Sequence, residues 1–342
     1  MTSVLAASVY PMRAAGPRLR LGPVIRELRR SGVETSWWSL LRDQDLEAWL
    51  TGGLSRLGPG ARALPGLPIA VRHSLGCRVL LLQREFLPAD SLWLERGIHR
   101  RLRPIIWDVD DALWARGAAR GSVAKYRWLA RHATEVWAGN ATVADWATRA
   151  GATQVSVVPT PVDVPPVINS DVREEKLLVW VGTPSTGPFL ERLVSDLGPS
   201  LLDWRLLVVG ATVKAPKGVL VEQRPWSPEA EADALRRATV GLYPLDLNHP
   251  AVFGKSALKC ILYMAHGIPV IATSTPSNRA VMEHGVEGFF ASTRDEWLCH
   301  LSDLRESGQR QRMSAAGHRR ALRDFDATAW GARLAERLQR YL

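Results

Sequence analysis

The sequence contains few cysteines, and none of them form an obvious pair. Cys77, Cys260 and Cys299 lie far apart, without a C-x-x-C spacing. This distribution predicts neither a disulfide framework nor a zinc site. It is typical of proteins from a reducing compartment, so we expect a cytoplasmic protein.

Long apolar runs are also missing. No run approaches eighteen apolar residues without a charge, a proline or a glycine, so we expect no transmembrane helix. The first apolar segment has no basic residues ahead of it and ends at Pro11, which predicts a first strand in place of a signal peptide. With 342 residues, 46% of them hydrophobic and 23% charged, the chain is expected to be globular with two domains.

Acidic residues are under-represented in the first half of the chain. Residues 1–165 carry 22 Lys+Arg against 14 Asp+Glu, a net charge of +8, whereas the remainder carries 22 against 20, a net charge of +2. We expect the first half to face an anionic acceptor or the inner face of the plasma membrane, as a peripheral protein. Arginine-rich genomic composition explains the charge equally well. The sequence has no recognisable nucleic-acid-binding motif, so we expect no nucleic-acid partner.

The N-terminal segment predicts the opening of a doubly wound sheet. The predicted elements are a strand at 3–10, a loop at 11–22, a helix at 23–31, a strand at 33–40, a surface loop at 59–68 and a buried strand at 78–84. The first of these loops contains Gly16, with arginines on both sides, among them Arg18. Gly16 is either a plain turn glycine or a point of close backbone approach to a ligand.

A cluster of acids follows the next apolar segment, PIIWDVDDALW at 104–114. The spacing predicts a buried strand that ends at Asp108, Asp110 and Asp111. Ligands in open α/β sheets lie outside the carboxyl ends of the strands, so these carboxylates are candidates for a site. Each one could instead cap the next helical turn, a role worth about 1 kcal/mol without any function.

The stretch from Val240 to Ala272 predicts a strand, a polar loop, an amphipathic helix and a second strand. Lys255 and Lys259 are four residues apart, which predicts one shared helix face near the free N–H groups at the helix start. Two ammonium groups beside the positive end of a helix dipole favour a diphosphate. A solvated pair of lysines on a surface helix is the alternative.

Three segments in order resemble glycosyltransferase family 4, the retaining enzymes with the GT-B fold. The DVDDALW segment is similar to a D-x-DDA-(I/L)W stretch of one branch of that family, and WAGNATVA is similar to its aGN-x-x-(L/V)A pattern. The segment GKSALKCILYMAHGIPVIA, followed by STPSN and HGVEGFF, is similar to its nucleotide-sugar half. The resemblance extends from about Val4 to the C-terminus.

This resemblance implies an α/β fold of the GT-B type, with two Rossmann-like doubly wound domains facing a cleft. The expected domains are an acceptor-side domain at 1–165, a nucleotide-sugar-binding domain at 166–328, and a C-terminal helix at 329–342 that crosses back to the first domain. The implied activity is retaining transfer of a sugar from a nucleoside diphosphate sugar to an acceptor hydroxyl, in bacterial surface polysaccharide or glycolipid assembly. The nucleotide sugar is a co-substrate, and no cofactor is expected.

The resemblance also assigns roles to residues. Asp110 or Asp111 orients or deprotonates the acceptor hydroxyl, and Gly16, Arg18 and Asn140 lie on the acceptor side. The expected donor-binding residues are Gly182, Thr183, Ser185, Thr186, Lys255, Lys259, Trp226, Asp246, Ser277 and Asn278. Among these, the backbone N–H groups of the 182–187 loop would cradle phosphate, and Trp226 either stacks on the nucleobase or belongs to the core. The acidic trio at 108–111 could hold Mg²⁺ or Mn²⁺, but it lies in the acceptor half, so we expect no metal.

Two departures from the family pattern keep other functions open. The 182–187 loop has no arginine or lysine before Arg192, so the two lysines would have to supply the positive charge. Two glutamates, eight positions apart in most members, are replaced by Gly254 and Leu262, and Asp246 or a backbone group could substitute for the first. The alternatives are therefore a degenerate, non-catalytic GT-B partner protein and a GT-B sugar-nucleotide epimerase.

Overall fold

The computed structural model describes residues 3–46, 48, 76–86, 96–97, 104–115, 120–168, 172–249 and 251–342. The chain forms two compact units. Unit 1 comprises Met1–Pro161, Phe253–Ser256 and Ala327–Leu342, and unit 2 comprises Val162–Val252 and Ala257–Asp326. The domain limits expected from the sequence differ from these by a few residues, and the inclusion of Phe253–Ser256 in unit 1 was not predicted. The predicted loop at 59–68 lies outside the described residues.

Each unit is built on one parallel sheet. In the described part of the chain the strands are β1 Val4–Ser8, β2 Thr35–Ser39, β3 Val79–Gln83, β4 Ile105–Val109, β5 Glu135–Ala138, β6 Val155–Val157, β7 Leu177–Val181, β8 Arg205–Val209, β9 Leu220–Arg224, β10 Val240–Tyr243, β11 Val270–Ala272 and β12 Gly288–Phe290. The order is β2-β1-β3-β4-β5-β6 in unit 1 and β12-β11-β10-β7-β8-β9 in unit 2. Strands β1, β3, β4 and β7 are buried at every position, as expected for parallel strands covered on both faces.

The helices follow the predicted alternation with the strands. Among the described residues they are α1 Gly22–Arg30, α2 Arg120–His132, α3 Ala141–Arg149, α4 Gly187–Leu197, α5 Pro228–Arg237, α6 Leu258–Ala265, α7 Pro276–Val281, α8 Arg294–Asp303, α9 Ser307–Asp324 and α10 Ala327–Gln339. Ser227 caps α5 through its side chain, as its position before a Pro-Glu start predicts. None of the helices in the described ranges combines the length and the apolar character needed to cross a bilayer.

The segment that precedes α1 differs from the prediction. The sequence predicted a loop up to Gly22, but residues Pro17–Leu21 form a π-helical turn that continues into α1. Pro17 is preorganised for the first helical turn, and the apolar residues Leu19 and Leu21 are buried. The same turn carries Arg20 into the interior, a position that no helical or strand period predicted.

The strand orders locate the place in each unit where the chain reverses direction across the sheet. In unit 1 the chain leaves β1 for β2 on one side and returns to β3 on the other, so the reversal lies between β1 and β3. In unit 2 it lies between β7 and β10. Ligands of doubly wound sheets bind outside the carboxyl ends of the strands at such points.

The C-terminal helix α10 belongs to unit 1 and packs against α1. The helices approach closely because Gly331 lacks a side chain: a Cβ there would lie 2.8 Å from the carbonyl oxygen of Pro23. Beyond this contact, Arg337 and the hydroxyl of Tyr341 donate hydrogen bonds to Glu135, which is buried at the start of β5.

Candidate functional site

In unit 1, a network of hydrogen-bonded, buried polar side chains links the carboxyl ends of three neighbouring strands. Ser8 at the end of β1 donates to Gln83 at the end of β3 over 3.2 Å, and Gln83 donates to Asp108 in β4 over 3.1 Å. Arg20 then donates to both oxygens of Asp108, from Nε at 3.1 and 2.9 Å and from Nη2 at 2.5 Å. Both charged side chains are only 1% exposed. Asp108 is therefore the counter-ion of Arg20 inside the core and cannot meet a substrate.

Asp110 follows the last residue of β4, and its carboxylate has different surroundings from that of Asp108. Its buried Oδ1 has no hydrogen-bond partner within the part of the chain that the structure describes, while Arg84 Nη1 lies 3.9 Å away. Burial raises the pKa of Asp110, and the neighbouring Asp111 carboxylate raises it further, although Arg84 and Arg20 partly lower it. A carboxylate whose pKa is raised at a strand end is a candidate general base.

Arg84, which faces Asp110, is a residue that the sequence analysis missed. It lies just after β3 with φ of 64°, a left-handed conformation that is uncommon for a residue with a side chain. Its backbone is held there by two hydrogen bonds, from its N–H to the carbonyl of Asp108 and from the Trp107 indole to its own carbonyl. Its guanidinium lies 5.3 Å from the centre of the Tyr10 ring. The conformation thus places a cation beside Asp110 at the reversal point of unit 1.

Asp111 and Asn140 hold the segment Phe253–Ser256 in unit 1. Asp111 Oδ1 accepts from the N–H of Ser256 at 2.9 Å, and its Oδ2 lies 4.0 Å from Lys255 Nζ. Asn140 caps α3 by accepting from Val143 N–H, and its amide group donates to the Gly254 carbonyl at 3.1 Å. Both side chains therefore position backbone, a role that the resemblance did not assign to them.

Gly254 is the residue that the resemblance to family 4 aligns with the first of the two glutamates. A Cβ at this position would lie 2.2 Å from Cβ of Ala112, a separation that real atoms do not adopt. The Gly254 carbonyl also accepts from the N–H of Ala112 at 3.1 Å. The backbone at Gly254 therefore packs so closely on Ala112 that the position admits no side chain.

The other two acceptor-side predictions lie on the turn that precedes α1. Gly16 is next to the end of β3, since a Cβ there would lie 3.3 Å from Oε1 of Gln83. Arg18 is half-buried in the π-helical turn. Gly16 therefore does bring backbone close to the reversal point of unit 1.

In unit 2, Lys259 lies at the reversal point between β7 and β10. Its Nζ is 5.2 Å from the centre of the Trp180 ring and 4.8 Å from the centre of the Tyr243 ring. Tyr243 is the last residue of β10, and Trp180 is the next-to-last residue of β7. The ring faces attract the cation and orient it at the carboxyl ends of the two strands.

The prediction that Lys255 and Lys259 share one helix face is wrong. Helix α6 begins at Leu258, so Lys259 is in its first turn while Lys255 precedes the helix in the segment that belongs to unit 1. The hydrogen bonds of that segment to Asp111 and Asn140 hold it out of the helix. The periodic pattern of apolar residues in the sequence does not predict these hydrogen bonds.

The loop at 182–187 differs from an open phosphate cradle. The N–H groups of Gly182, Thr186 and Gly187 donate to backbone carbonyls, and that of Thr183 donates to the Thr186 hydroxyl. The hydroxyls of Thr183 and Ser185 lie 3.0 Å apart, and both residues are exposed. In this conformation the hydroxyls, and not those four N–H groups, are the polar groups available to a ligand.

A pocket of about 390 Å³ lies in unit 2 and includes Asp246. The lining residues are Phe189, Arg192, Leu193, Asp196, Leu197, Pro244, Leu245, Asp246, Leu247, Asn248, Thr273, Ser292, Thr293, Arg294 and Trp297. Arg192 Nη1 pairs with Asp246 Oδ2 at 3.2 Å, and the N–H of Asn248 donates to Asp246 Oδ1 at 3.0 Å. Arg192, the first basic residue after the 182–187 loop, therefore lies next to Asp246, the carboxylate predicted to bind the donor.

The remaining donor-side predictions lie in or near the core of unit 2. Trp226 is half-buried, packs against the core and donates from its indole to Glu231 at 2.8 Å. Asn278 is buried, and its amide donates to the carbonyl of Thr273 at the end of β11. Ser277 is also buried, and its hydroxyl has no hydrogen-bond partner among the described residues. Asn278 therefore fixes the β11 loop, whereas the Ser277 hydroxyl is unsatisfied.

The comparisons with known proteins agree with this architecture. Residues 175–304 match the family model described as "Glycosyl transferases group 1". No curated protein sequence matches the chain at a significant level.

Solved structures share the whole architecture at low sequence identity. HepE from Anabaena in complex with UDP-glucose has a TM-score of 0.70 and 13% identity, covering 98% of this chain and 99% of that one. Sucrose-phosphate synthase from Thermosynechococcus elongatus has a TM-score of 0.69 and 12% identity, covering 99% and 98%. A glycosyltransferase from Rickettsia africae has a TM-score of 0.68 and 10% identity, covering 99% and 98%. The chain therefore has the GT-B fold, and its residues 175–304 resemble the glycosyl transferases of group 1.

Proposed function

We propose that the protein is a glycosyltransferase that moves a sugar from a nucleoside diphosphate sugar to an acceptor hydroxyl. The observation that carries the proposal is the position of Lys259, between two aromatic rings at the reversal point of unit 2. This lysine lies inside the region that matches the family model. The fold neighbours add support, because HepE was solved with UDP-glucose.

Lys259 has the chemistry that the departure of a nucleoside diphosphate requires. Negative charge grows on the leaving diphosphate as the glycosidic bond breaks, so a fixed cation contributes more in the transition state than in the ground state. The faces of Trp180 and Tyr243 orient the ammonium group without adding a negative charge that would compete with phosphate. The hydroxyls of Thr183 and Ser185 and the pocket containing Asp246 would bind the rest of the donor.

On the acceptor side, we propose Asp110 as the base that receives the proton of the acceptor hydroxyl. Retention of anomeric configuration and a role in bacterial surface polysaccharide or glycolipid assembly are proposed from the resemblance to family 4. The net charge of +8 on residues 1–165 supports an anionic acceptor or a membrane surface. We also propose transfer without a metal or cofactor, because Arg20 already neutralises one carboxylate of the acidic trio, Asp108.

We expect Lys259→Ala to weaken the binding of the matching nucleoside diphosphate by about 5- to 30-fold, or 1–2 kcal/mol, the scale of one charge-assisted contact. The assay is a thermal-shift titration with UDP, GDP, dTDP and CDP, with UDP tested first because HepE binds it. At a hundred times its dissociation constant, the bound nucleotide should stabilise the protein by about 2.7 kcal/mol. EDTA should leave the shift unchanged.

The matched control for this experiment is Lys217→Ala, which removes the same charge from an exposed position in unit 2. It should bind like the wild type. Equal affinities of the Lys259 and Lys217 variants would contradict the assignment of Lys259. If no nucleotide stabilises even the wild type at millimolar concentration, the degenerate-partner alternative becomes the better proposal, in line with the internally bonded loop at 182–187.

For Lys255, we keep the proposal of diphosphate binding as a separate prediction. We expect Lys255→Ala to weaken nucleoside diphosphate binding by about 1–2 kcal/mol. The same titration measures it. Because Lys255 Nζ lies 4.0 Å from Asp111 Oδ2, an acceptor-side role would instead leave nucleotide affinity unchanged and raise the KM for the acceptor. That second outcome would remove Lys255 from the donor site.

A further inference from the structure

Three potential metal ligands come together at the end of helix α8, away from the residues used above. Cys299, His300 and Asp303 each offer one ligand atom, and all three atoms lie within 4.8 Å of one another. The thiol sulfur of Cys299 is 3.9 Å from Oδ2 of Asp303, and Nδ1 of His300 is 3.5 Å from the same oxygen. The three side chains thus converge on one point near Asp303.

The two separations from Asp303 Oδ2 are close to those of a tetrahedral zinc centre. Bond lengths of about 2.3 Å to sulfur, 2.0–2.1 Å to nitrogen and 2.0–2.2 Å to oxygen place the sulfur about 3.6 Å, and the nitrogen about 3.4 Å, from the oxygen. The observed distances exceed these values by only a few tenths of an ångström. Small side-chain rotations would therefore close the site around an ion.

The imidazole of His300 is already oriented for metal binding. Its Nε2 lies 3.2 Å from the carbonyl oxygen of Phe290, so Nε2 carries a hydrogen, and Nδ1 is the ring nitrogen that faces Asp303. A metal-binding histidine usually donates its second N–H to such a carbonyl. The ring also stacks on Phe289, with centres 4.3 Å apart and planes 6° apart. With Nε2 engaged by this carbonyl, Nδ1 is the ring nitrogen that can bind a cation together with the Asp303 carboxylate.

The chemistry of the ligands selects the class of ion. A thiolate, an imidazole and a carboxylate suit Zn²⁺, whereas Mg²⁺ and Ca²⁺ prefer oxygen ligands alone. Cys299 is exposed, unlike the buried Cys77 and Cys260, and the Asp303 side chain is 47% exposed, so an ion has access from solvent. We propose that Cys299, His300 and Asp303 bind one zinc ion, with water as the fourth ligand.

The zinc ion would connect the end of α8 to strand β12 through the bond from His300 to Phe290. Helix α8 begins with Arg294 and also contains Trp297, both of which line the pocket of unit 2. Fixing the helix therefore stabilises one wall of that pocket. The zinc site is inferred from its own three ligands, so it does not depend on the proposed function.

The test is titration of the metal-free protein with Co²⁺, followed by displacement with Zn²⁺. We expect one Co²⁺ per chain, with a thiolate-to-cobalt charge-transfer band that Zn²⁺ removes. Cys299→Ser should abolish the band, and Asp303→Asn should weaken binding by at least about 10-fold.

The matched control is Asp295→Asn, which removes the same charge from the same helix at a side chain that is 95% exposed. It should bind Co²⁺ like the wild type. Absence of the band from the wild type would overturn the proposal. Equal binding by the Cys299 and Asp303 variants and the wild type would also overturn it. Circular dichroism of each variant confirms that a lost band does not reflect unfolding.

Discussion

Replacing Asp110 with asparagine is expected to lower kcat/KM for sugar transfer by about 10²- to 10⁴-fold, the usual contribution of a positioned general base. The carboxylate lies at the end of β4, with a buried oxygen that has no hydrogen-bond partner in the described part of the chain. Asparagine keeps the shape but cannot accept a proton. Steady-state kinetics with the nucleotide sugar identified by the binding panel measure the loss.

The pH dependence provides an independent check on this role. Burial raises the pKa of Asp110, with a further increase from Asp111, so the protonated form persists above the ordinary aspartate value of about 4. A base works only when deprotonated. The wild-type kcat/KM should therefore fall as the pH decreases through this raised pKa, and the residual activity of Asp110→Asn should lack that acidic limb.

Stability measurements separate catalytic loss from misfolding. The pKa of Asp110 is higher in the folded chain than in the unfolded chain, so protonation of Asp110 stabilises the fold. This contribution to the free energy of unfolding is fully present below the pKa that Asp110 has in the unfolded chain. That stability is lost as the pH rises through the folded pKa. The uncharged variant escapes the loss, so Asp110→Asn should be at least as stable as the wild type at pH 8. An active variant, or one that is clearly less stable at pH 8, would contradict the assignment.

Replacing Asp108 with asparagine is expected to lower stability. We expect a loss of about 3–5 kcal/mol in the unfolding free energy of unit 1. The change leaves the Arg20 guanidinium, which is 1% exposed, without its counter-ion. A buried cation with no counter-charge is far more costly than a broken surface pair. Hydrogen exchange of peptides from β3 and β4 in increasing urea measures the opening of unit 1 separately from unit 2.

Asp145→Asn is the control, since it makes the same change at an exposed position in the same unit and should stay within about 0.5 kcal/mol of the wild type. A cycle with Arg20→Met adds a second check. The double variant Arg20→Met with Asp108→Asn should lose much less than the sum of the two single changes, because no buried charge remains. Strictly additive losses of stability would show that Arg20 and Asp108 do not interact energetically.

The contrast between Asp108 and Asp110 shows which features of the site the sequence predicts and which it does not. The apolar residues at the start of PIIWDVDDALW predicted a buried strand with the acids at its carboxyl end, and β4 confirms this. Period-two alternation does not say which acid has a partner, because the partner of Asp108 comes from residue 20, eighty-eight positions away. The position of Arg20 depends on a π-helical turn that has no periodic signature.

The zinc proposal shows a signal that the sequence analysis overlooked. Cys299, His300 and Asp303 lie within five consecutive residues of helix α8. A search for paired cysteines could not find them, because it ignored mixed ligands on one helix. Only the carbonyl of Phe290, which comes from β12, shows that Nε2 of His300 is engaged and that Nδ1 faces Asp303.

The sequence by itself determined the class of fold, because buried parallel strands need continuous apolar runs and the helices between them need an apolar face and a cap. It also determined that polar groups follow the strands, where an open sheet binds ligands. Tertiary structure decided which of those groups meet. It separated Lys255 from the helix of Lys259, placed Lys259 between two rings, and turned Arg20 inward. These outcomes depend on contacts between residues distant in the chain, and no local period or propensity encodes such contacts.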